Sequence, residues 1–316
     1  MNLKHLVRHS LWLTCFYYLI DDWRTARRLA RGRLETRSGK RHDALALDQS
    51  LAYIDRVHGD YCCYGGLARF EGSIVEIGPG DNFGVALCLL AGGAAEVHAI
   101  DRYVPERDEV AQRRIYEALA RRPGFAALFD GPPGERTIRG LHYHPGTPAE
   151  RFFHGATGRF DAIVSRAVLE HLYDPLAALD DMARALKPGG TMVHRIDLRD
   201  HGMFAGHHPL TFLTIPAWLY RPMTRASGRP NRVLMPAYRS WLARSGLDGS
   251  LRISRLAGLA DEIEPVAIEA LDPALLGRAV DQVRTIRTRL AEAFGTFDDE
   301  SLAVSGVVLV ARKPSH

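Results

Sequence analysis

The stretch Glu76-Ile77-Gly78-Pro79-Gly80-Asp81-Asn82-Phe83-Gly84 constrains the fold of this 316-residue chain more than any other. Residues 74–77 are apolar apart from Glu76 and mostly β-branched, which predicts a strand, and residues 85–91 read as a helix. The loop therefore joins a strand to a helix. In a mainly parallel sheet such a turn lies at the carboxyl ends of the strands, where a ligand crevice opens. Gly78, Gly80 and Gly84 let the backbone approach a ligand that a Cβ would hold away.

The alternation continues along the chain. Strands are predicted over 97–100, ending at Asp101, then over 138–143, 160–165, 191–198, 251–256 and 305–311. A helix over 175–186 follows from Leu176, Leu179, Met182, Ala183 and Leu186 at helical spacing. Lys187, Pro188, Gly189 and Gly190 should end it: a cation suits the negative helix end, proline cannot continue it, and glycine tolerates left-handed geometry. A short helix over 241–246 and one long helix over 274–294 complete the pattern. Strands alternating with helices predict an α/β fold, a Rossmann-like, mostly parallel sheet covered on both faces. The organisation read is a helical extension over 1–60 and a domain over 61–316, with a cap insertion at 199–236 and a helical insertion at 259–300.

Two kinds of nucleotide site compete for the loop. The dinucleotide fingerprint G-x-G-x-x-G requires glycine where Phe83 stands, which disfavours a nicotinamide cofactor. An acidic residue before the first glycine suits S-adenosylmethionine (SAM), because the Glu76 carboxylate can attract the amino end of a methionine moiety. Asp101, at the end of the second strand, is placed to accept both ribose hydroxyls.

Val-Glu-Ile-Gly-Pro-Gly, Asp101, Phe-Asp-Ala-Ile-Val-Ser-Arg-Ala-Val-Leu-Glu-His-Leu and Leu-Lys-Pro-Gly-Gly together resemble the class I SAM-dependent methyltransferase superfamily, most of all its small-molecule and quinone-type branch. The resemblance covers roughly residues 70–200 and the closing strand. It implies seven strands ordered 3-2-1-4-5-7-6 with the last antiparallel, and SAM held by Glu76, Gly78, Pro79, Gly80, Asn82, Asp101, Arg102, Thr147 and Ser165. Many relatives carry an acidic residue after the third strand for the adenine amino group. Here His144, Pro145, Gly146 and Thr147 stand instead, so a backbone carbonyl or Thr147 would take that contact.

Methyl transfer is an in-line displacement at a sulfonium carbon, and positioning supplies much of its rate. For a hydroxyl acceptor a histidine is the natural base, since its unperturbed pKa is ~6.5. Candidates are His171, after strand four, and His201 with Asp197 at the end of strand five; the resemblance implies that a histidine at the His171 position often shapes the site without being the base. His194 and Asp197 fall on opposite faces of that strand and cannot form one dyad. His201, His207 and His208 invite a metal reading, but no spacing matches a ligand pair, so no metal is assigned. Arg221, Arg225, Arg229 and Arg232 could clasp an anionic substrate group or simply be solvated.

Net charge is +4, yet residues 1–42 hold ten Lys or Arg against three Asp or Glu, so the body is slightly acidic. That balance disfavours a nucleic-acid partner. So does Ser165-Arg166-Ala167-Val168, where the Asn-Pro-Pro-aromatic tetrad of base methyltransferases would stand. The expected acceptor is a hydroxyl on a small molecule: a saccharide, phenolic or quinone-like compound, free or lipid-linked. A nitrogen or carbon acceptor, or a SAM-binding protein without turnover, remains open.

Residues 11–20 are apolar apart from Thr14, but ten helical residues span ~15 Å against a bilayer core of ~30 Å. Lys4, Arg8 and His9 precede this run as in a secretory signal, but Asp21, Asp22 and Trp23 follow where small cleavage-site residues would stand. The segment either packs on the body or lies in a bilayer interface, with Trp12, Tyr17, Tyr18 and Trp23 at headgroup depth and Arg24, Arg27 and Arg28 toward anionic lipid. Cys15, Cys62, Cys63 and Cys88 show neither zinc nor disulfide spacing, which fits reduced thiols in a cytoplasmic protein. The expected location is the cytoplasm, with peripheral contact at the inner membrane face through residues 1–42.

Overall fold

The computed structural model describes residues 10–36 and 42–315. Lys4, Arg8, His9, Arg37, Lys40 and Arg41, part of the basic N-terminal stretch, lie outside them. Two helices come first, α1 (Leu11–Ala30) and α2 (Leu47–Gly65). The alternating body begins with β1 (Gly72–Ile77), α3 (Gly84–Gly92), β2 (Ala94–Asp101), α4 (Glu109–Ala120) and β3 (Leu141–Pro145). It continues with α5 (Ala149–Phe153), β4 (Phe160–Arg166), α6 (Pro175–Ala185) and β5 (Leu186–Asp197). Beyond β5 lie α7 (Ala217–Thr224), α8 (Met235–Arg244), β6 (Asp248–Leu256), α9 (Pro273–Ile286), α10 (Glu292–Gly295), α11 (Asp299–Ala303) and β7 (Val304–Arg312).

Across the seven-stranded sheet the order is β3-β2-β1-β4-β5-β7-β6. Neighbours pair in parallel as far as β5, and β7 runs antiparallel to both β5 and β6. A two-residue parallel ladder between Glu35–Thr36 and Val104–Pro105 lies apart from it and has no counterpart in the sequence reading.

Side chains alternate between two cores, because successive residues of a strand point to opposite faces. Ile74, Val97, Ala162, Val164, Val193 and Val308 join Ile54, Val57, Leu87 and Ile115 of the helices on one face. Val75, Ile100, Ile163, Met192, Ile196 and Leu309 join Leu179, Met182, Trp241 and Val283 on the other. With both faces covered, the central strands carry continuous apolar runs, and this made them legible.

Several boundaries differ from the sequence reading. The third strand sits later than predicted, at 141–145, while Ile138 makes only an isolated bridge to Phe129. Helix α6 ends at Ala185, and β5 starts at once with Leu186. Lys187 does not cap it: its ammonium is 2.7 Å from Asp161, and Lys313 supplies the cation instead, reaching the carbonyls of Ala183, Arg184 and Leu186. The single helix expected over 274–294 is broken. After Ile286 comes a 3-10 turn, Arg287–Arg289, then the amide of Ala291 donates to the carbonyl of Leu213 in the cap. Apolar spacing persisted through the break because Leu290 and Phe294 pack on the same core. The boundary drawn at residue 60 falls within α2.

Helix α1 packs on α7, within residues 199–236 that form the cap over the ligand edge of the sheet. Cys15, Tyr18 and Asp22 are buried, and Asp22 Oδ1 accepts the amides of Ala226 and Ser227, both at 2.8 Å. Its opposite face is open, with Trp12 72%, Phe16 60% and Trp23 54% exposed. Among the described residues no helix is long and apolar enough to cross a membrane.

Candidate active site

The glycine turn leaves β1 with Gly78 at φ +73° and Gly80 at φ +75°, a region that favours glycine. A Cβ on Gly78 would stand 2.6 Å from Val168 Cγ2, so the turn lies directly against the segment that follows β4. Asn82 Oδ1 accepts the amide of Gly84 at 2.6 Å, starting α3. Phe83, which breaks the dinucleotide fingerprint, is fully buried, and its ring meets Tyr143 edge-on at 4.9 Å. Its place in the core explains the departure.

Glu76 Oε2 and Asp101 Oδ2 are buried with no hydrogen-bond partner among the described residues, as is Asn82 Nδ2. Burial pushes the Glu76 carboxyl up to about 8, reinforced by the charge of Asp101. Burial also pushes Asp101 up to about 8, against the pull of Arg107. Leaving such acceptors unfilled is costly. They suit a ligand that brings donors and positive charge: an ammonium for Glu76 and a pair of hydroxyls for Asp101. The residues present thus fit SAM.

The other predicted cofactor residues divide. Pro79 lies between the two glycines of the turn. Arg102 stacks its guanidinium 3.9 Å from the Tyr173 ring centre, and the amide of Thr147 donates to the Asp101 carbonyl at 2.7 Å. Ser165 is fully buried and shares a 2.8 Å hydrogen bond with His194 Nδ1, so its hydroxyl is committed inside the sheet. Sequence reasoning missed Arg107. Its guanidinium sits 4.3 Å from the Phe83 ring centre and 4.5 Å from that of Tyr143, pairs with Glu135 at 3.0 Å, and donates to the Gly80 carbonyl at 3.3 Å. No motif marks it, because its partners come from three separate segments: the glycine turn, the stretch around Glu135 and β3.

Beside the turn, the loops after β4 and β5 bring together Glu170, His171, Asp197 and His201. His201 Nε2 is 3.5 Å from Asp197 Oδ2 and 3.6 Å from Glu170 Oε1, and its ring centre is 4.8 Å from that of His171. His171 Nδ1 lies 2.7 Å from the carbonyl oxygen of Gly228. Burial, then the neighbouring His201, lowers the His171 pKa to about 4, although the Gly228 bond acts the other way. For Asp197 burial is outweighed by the hydrogen bonds from Arg199 and by the His201 ring beside it, so its carboxyl stays well below the usual range. The predicted His201–Asp197 pair is thus assembled, and His171 stands beside it.

The cap fixes this cluster. Asn231 Nδ2 donates to the carbonyls of Leu169 (2.8 Å) and Leu172 (3.0 Å), and its amide donates to that of Glu170 (2.7 Å). His194 stays apart, buried beside Ser165. His208 binds the Leu210 amide and lies 3.2 Å from Thr285 Oγ1, away from His201. The four arginines form no single clasp: Arg229 pairs with Asp21 and Arg232 donates to the carbonyls of Phe212 and Ile215, while Arg221 and Arg225 are exposed. A cavity of about 300 Å³ opens under the cap, lined by Leu198, Leu210, Phe212, Leu213 and Leu256 with Arg199 and Asp200.

A methyltransferase domain family matches residues 27–248, more than half of the chain. The chain belongs to that family: it is a class I methyltransferase, and its cofactor is SAM. No curated protein matches it. Among solved structures it is similar to the [4+2]-cyclase SpnF, at 15% identity over 83% of this chain and 81% of that one, TM-score 0.42. It is also similar to phosphoethanolamine N-methyltransferase 2 of Haemonchus contortus with SAM bound, at 13% identity over 82% and 52% of the chains, TM-score 0.44. A third is the YcgJ protein of Bacillus subtilis, at 15% identity over 84% and 99%, TM-score 0.41. None of these bears on the acceptor.

Proposed function

We propose that this enzyme methylates a hydroxyl group of a small molecule: a saccharide, phenolic or quinone-like compound, free or carried on a lipid. The observation that carries the reading is the grouping of Glu170, His171, Asp197 and His201 on loops that abut the glycine turn. Bound there, SAM would supply an electrophilic methyl carbon, with the neutral thioether as leaving group. Glu76 and Asp101 would hold its two polar ends, the ammonium and the ribose hydroxyls. The Asp197–His201 side of the cleft faces the acceptor and makes loss of the hydroxyl proton easier, a contribution worth typically 10²–10⁴-fold. The apolar cavity beside Arg199 and Asp200 offers room for a compact acceptor. The near-neutral body gives no support for a nucleic acid.

A second feature bears on where the acceptor is met. Trp12, Phe16 and Trp23 share the open face of α1 with Arg24, Arg27 and Arg28, and Trp218 of α7, the helix on which α1 packs, is 73% exposed beside exposed Arg221 and Arg225. Aromatic rings set among arginines match an anionic bilayer surface, with rings at headgroup depth and cations toward lipid phosphate. On this reading the enzyme sits peripherally on such a membrane.

The test is transfer of labelled methyl from SAM to a panel of hydroxylated compounds, with products identified by fragmentation. An O-methylated product, with turnover reduced at least ~100-fold in His201→Ala and Asp197→Asn, is expected. Methyl recovered only on nitrogen or carbon would overturn the hydroxyl reading.

A further inference from the structure

We infer that Glu170, His171 and His201 hold one divalent transition-metal ion at the acceptor end of the cleft, an inference that rests on the hydroxyl reading for its role but not for its existence. Their donor atoms all lie within 4.8 Å of one another. They come from two loops, the turn after β4 and the turn after β5, so no local spacing announces them.

Three features set this group apart from an ordinary hydrogen-bonded cluster. First, Glu170 is 1% exposed, and neither of its carboxylate oxygens makes a full hydrogen bond among the described residues. A buried carboxylate in that condition calls for an ion or a donor that the protein does not itself supply.

Second, His171 Nδ1 faces the Gly228 carbonyl at 2.7 Å. A carbonyl only accepts, so Nδ1 carries the hydrogen and Nε2 is left with its lone pair, the state in which metal-binding histidines are held by their outer partners. Third, His201 Nε2 lies 3.6 Å from Glu170 Oε1 and 3.5 Å from Asp197 Oδ2, too far for a hydrogen bond to either. Two donor atoms each ~2.1 Å from one tetrahedral ion stand about 3.4 Å apart. Asp197 is already bound by Arg199 through both oxygens, which leaves Glu170 as the ligand and Asp197 as the group that orients His201. His201 has φ +51°, a backbone conformation that costs energy for a residue with a side chain and so points to a constrained ring.

Two imidazoles and one carboxylate, with positions open to the cleft, suit zinc, iron(II), manganese(II) or cobalt(II) over magnesium or calcium. Such an ion would polarise a bound hydroxyl, whose proton leaves to water as the O–CH3 bond forms and the S–CH3 bond of SAM breaks, releasing the neutral thioether.

The direct test is titration of chelator-stripped full-length protein with Co²⁺, read by visible absorption and by metal content per chain, without SAM or acceptor. One saturable equivalent is expected. Affinity should fall roughly 100-fold or more in His201→Ala and in the near-isosteric Glu170→Gln. Their heat of binding S-adenosylhomocysteine (SAH) should be retained, showing that both variants are folded. Wild-type protein that takes up no cobalt, or variants that bind it as tightly as wild type, would overturn the assignment. Loss of SAH binding with cobalt uptake intact would strike the cofactor site alone, and cobalt uptake without O-methylation would strike the hydroxyl reading alone.

Discussion

His171 Nδ1 lies 2.7 Å from the carbonyl oxygen of Gly228, so a ring at the ligand edge of the sheet is oriented by the cap. Gly228 has φ +65°, and a Cβ there would stand 3.0 Å from Tyr103 Oη, whose hydroxyl donates to the Ala226 carbonyl. Gly228→Ala should therefore shift the cap and release His171. The left-handed conformation alone adds roughly 1–2 kcal/mol of destabilisation. Turnover is expected to drop at least ~10-fold with SAH affinity little changed; loss of SAH binding instead would place the cap's influence on the cofactor side.

The two orphaned carboxylates give the protein a pH signature. Glu76 and Asp101 titrate near 8 in the folded chain, against an unfolded value of ~4. The stability they confer is complete below that lower value and is lost as pH rises through about 8. Burial also lowers the pKa of His171 to about 4 and of His194 to about 3, but this costs stability only below the ordinary histidine value. Between about pH 7 and 8.5 the carboxylates dominate. Thermal unfolding of the ligand-free protein should shift down by several degrees over that window. Saturating SAH should flatten the slope, and Glu76→Gln should reduce it. A free protein that grows more stable over this range would contradict the placement of both groups.

Asp22 joins α1 to the cap through the amides of Ala226 and Ser227. Losing two charge-assisted bonds at a buried carboxylate should cost about 2–4 kcal/mol in Asp22→Ala, and less in Asp22→Asn, which keeps an acceptor. Chemical denaturation measures this. Equal stability of the alanine variant and wild type would mean that α1 is not part of the folded body.

The exposed face of α1 makes a separable forecast. Sedimentation with vesicles rich in phosphatidylserine should capture the protein, with weaker capture at higher salt and little on neutral vesicles. Replacing Trp12, Phe16 and Trp23 together by alanine should abolish capture while SAH binding persists. If the triple variant is captured as well as wild type, the face serves another purpose.

What the sequence made legible was whatever is written locally. The turn from Glu76 to Gly84 and the apolar strands announce themselves through adjacent residues, and the structure realises them as β1, α3 and their parallel neighbours. The pairing of Asp197 with His201 could be foreseen because four residues separate them at a strand end. Glu170 was passed over as part of a motif, because its burial and its approach to His201 depend on Asn231 pinning the turn after β4 from far along the chain. The broken helix at Ile286 and the exchange of Lys187 for Lys313 have the same origin: a distant carbonyl or carboxylate outweighed a local preference.

Isothermal calorimetry of the full chain with SAH tests the central claim most directly. The account predicts one site per chain, proton release on binding near neutral pH as Glu76 and Asp101 ionise, and at least ~10-fold weaker binding in Asp101→Ala. Folded wild-type protein that gives no heat with SAH or with SAM would contradict it.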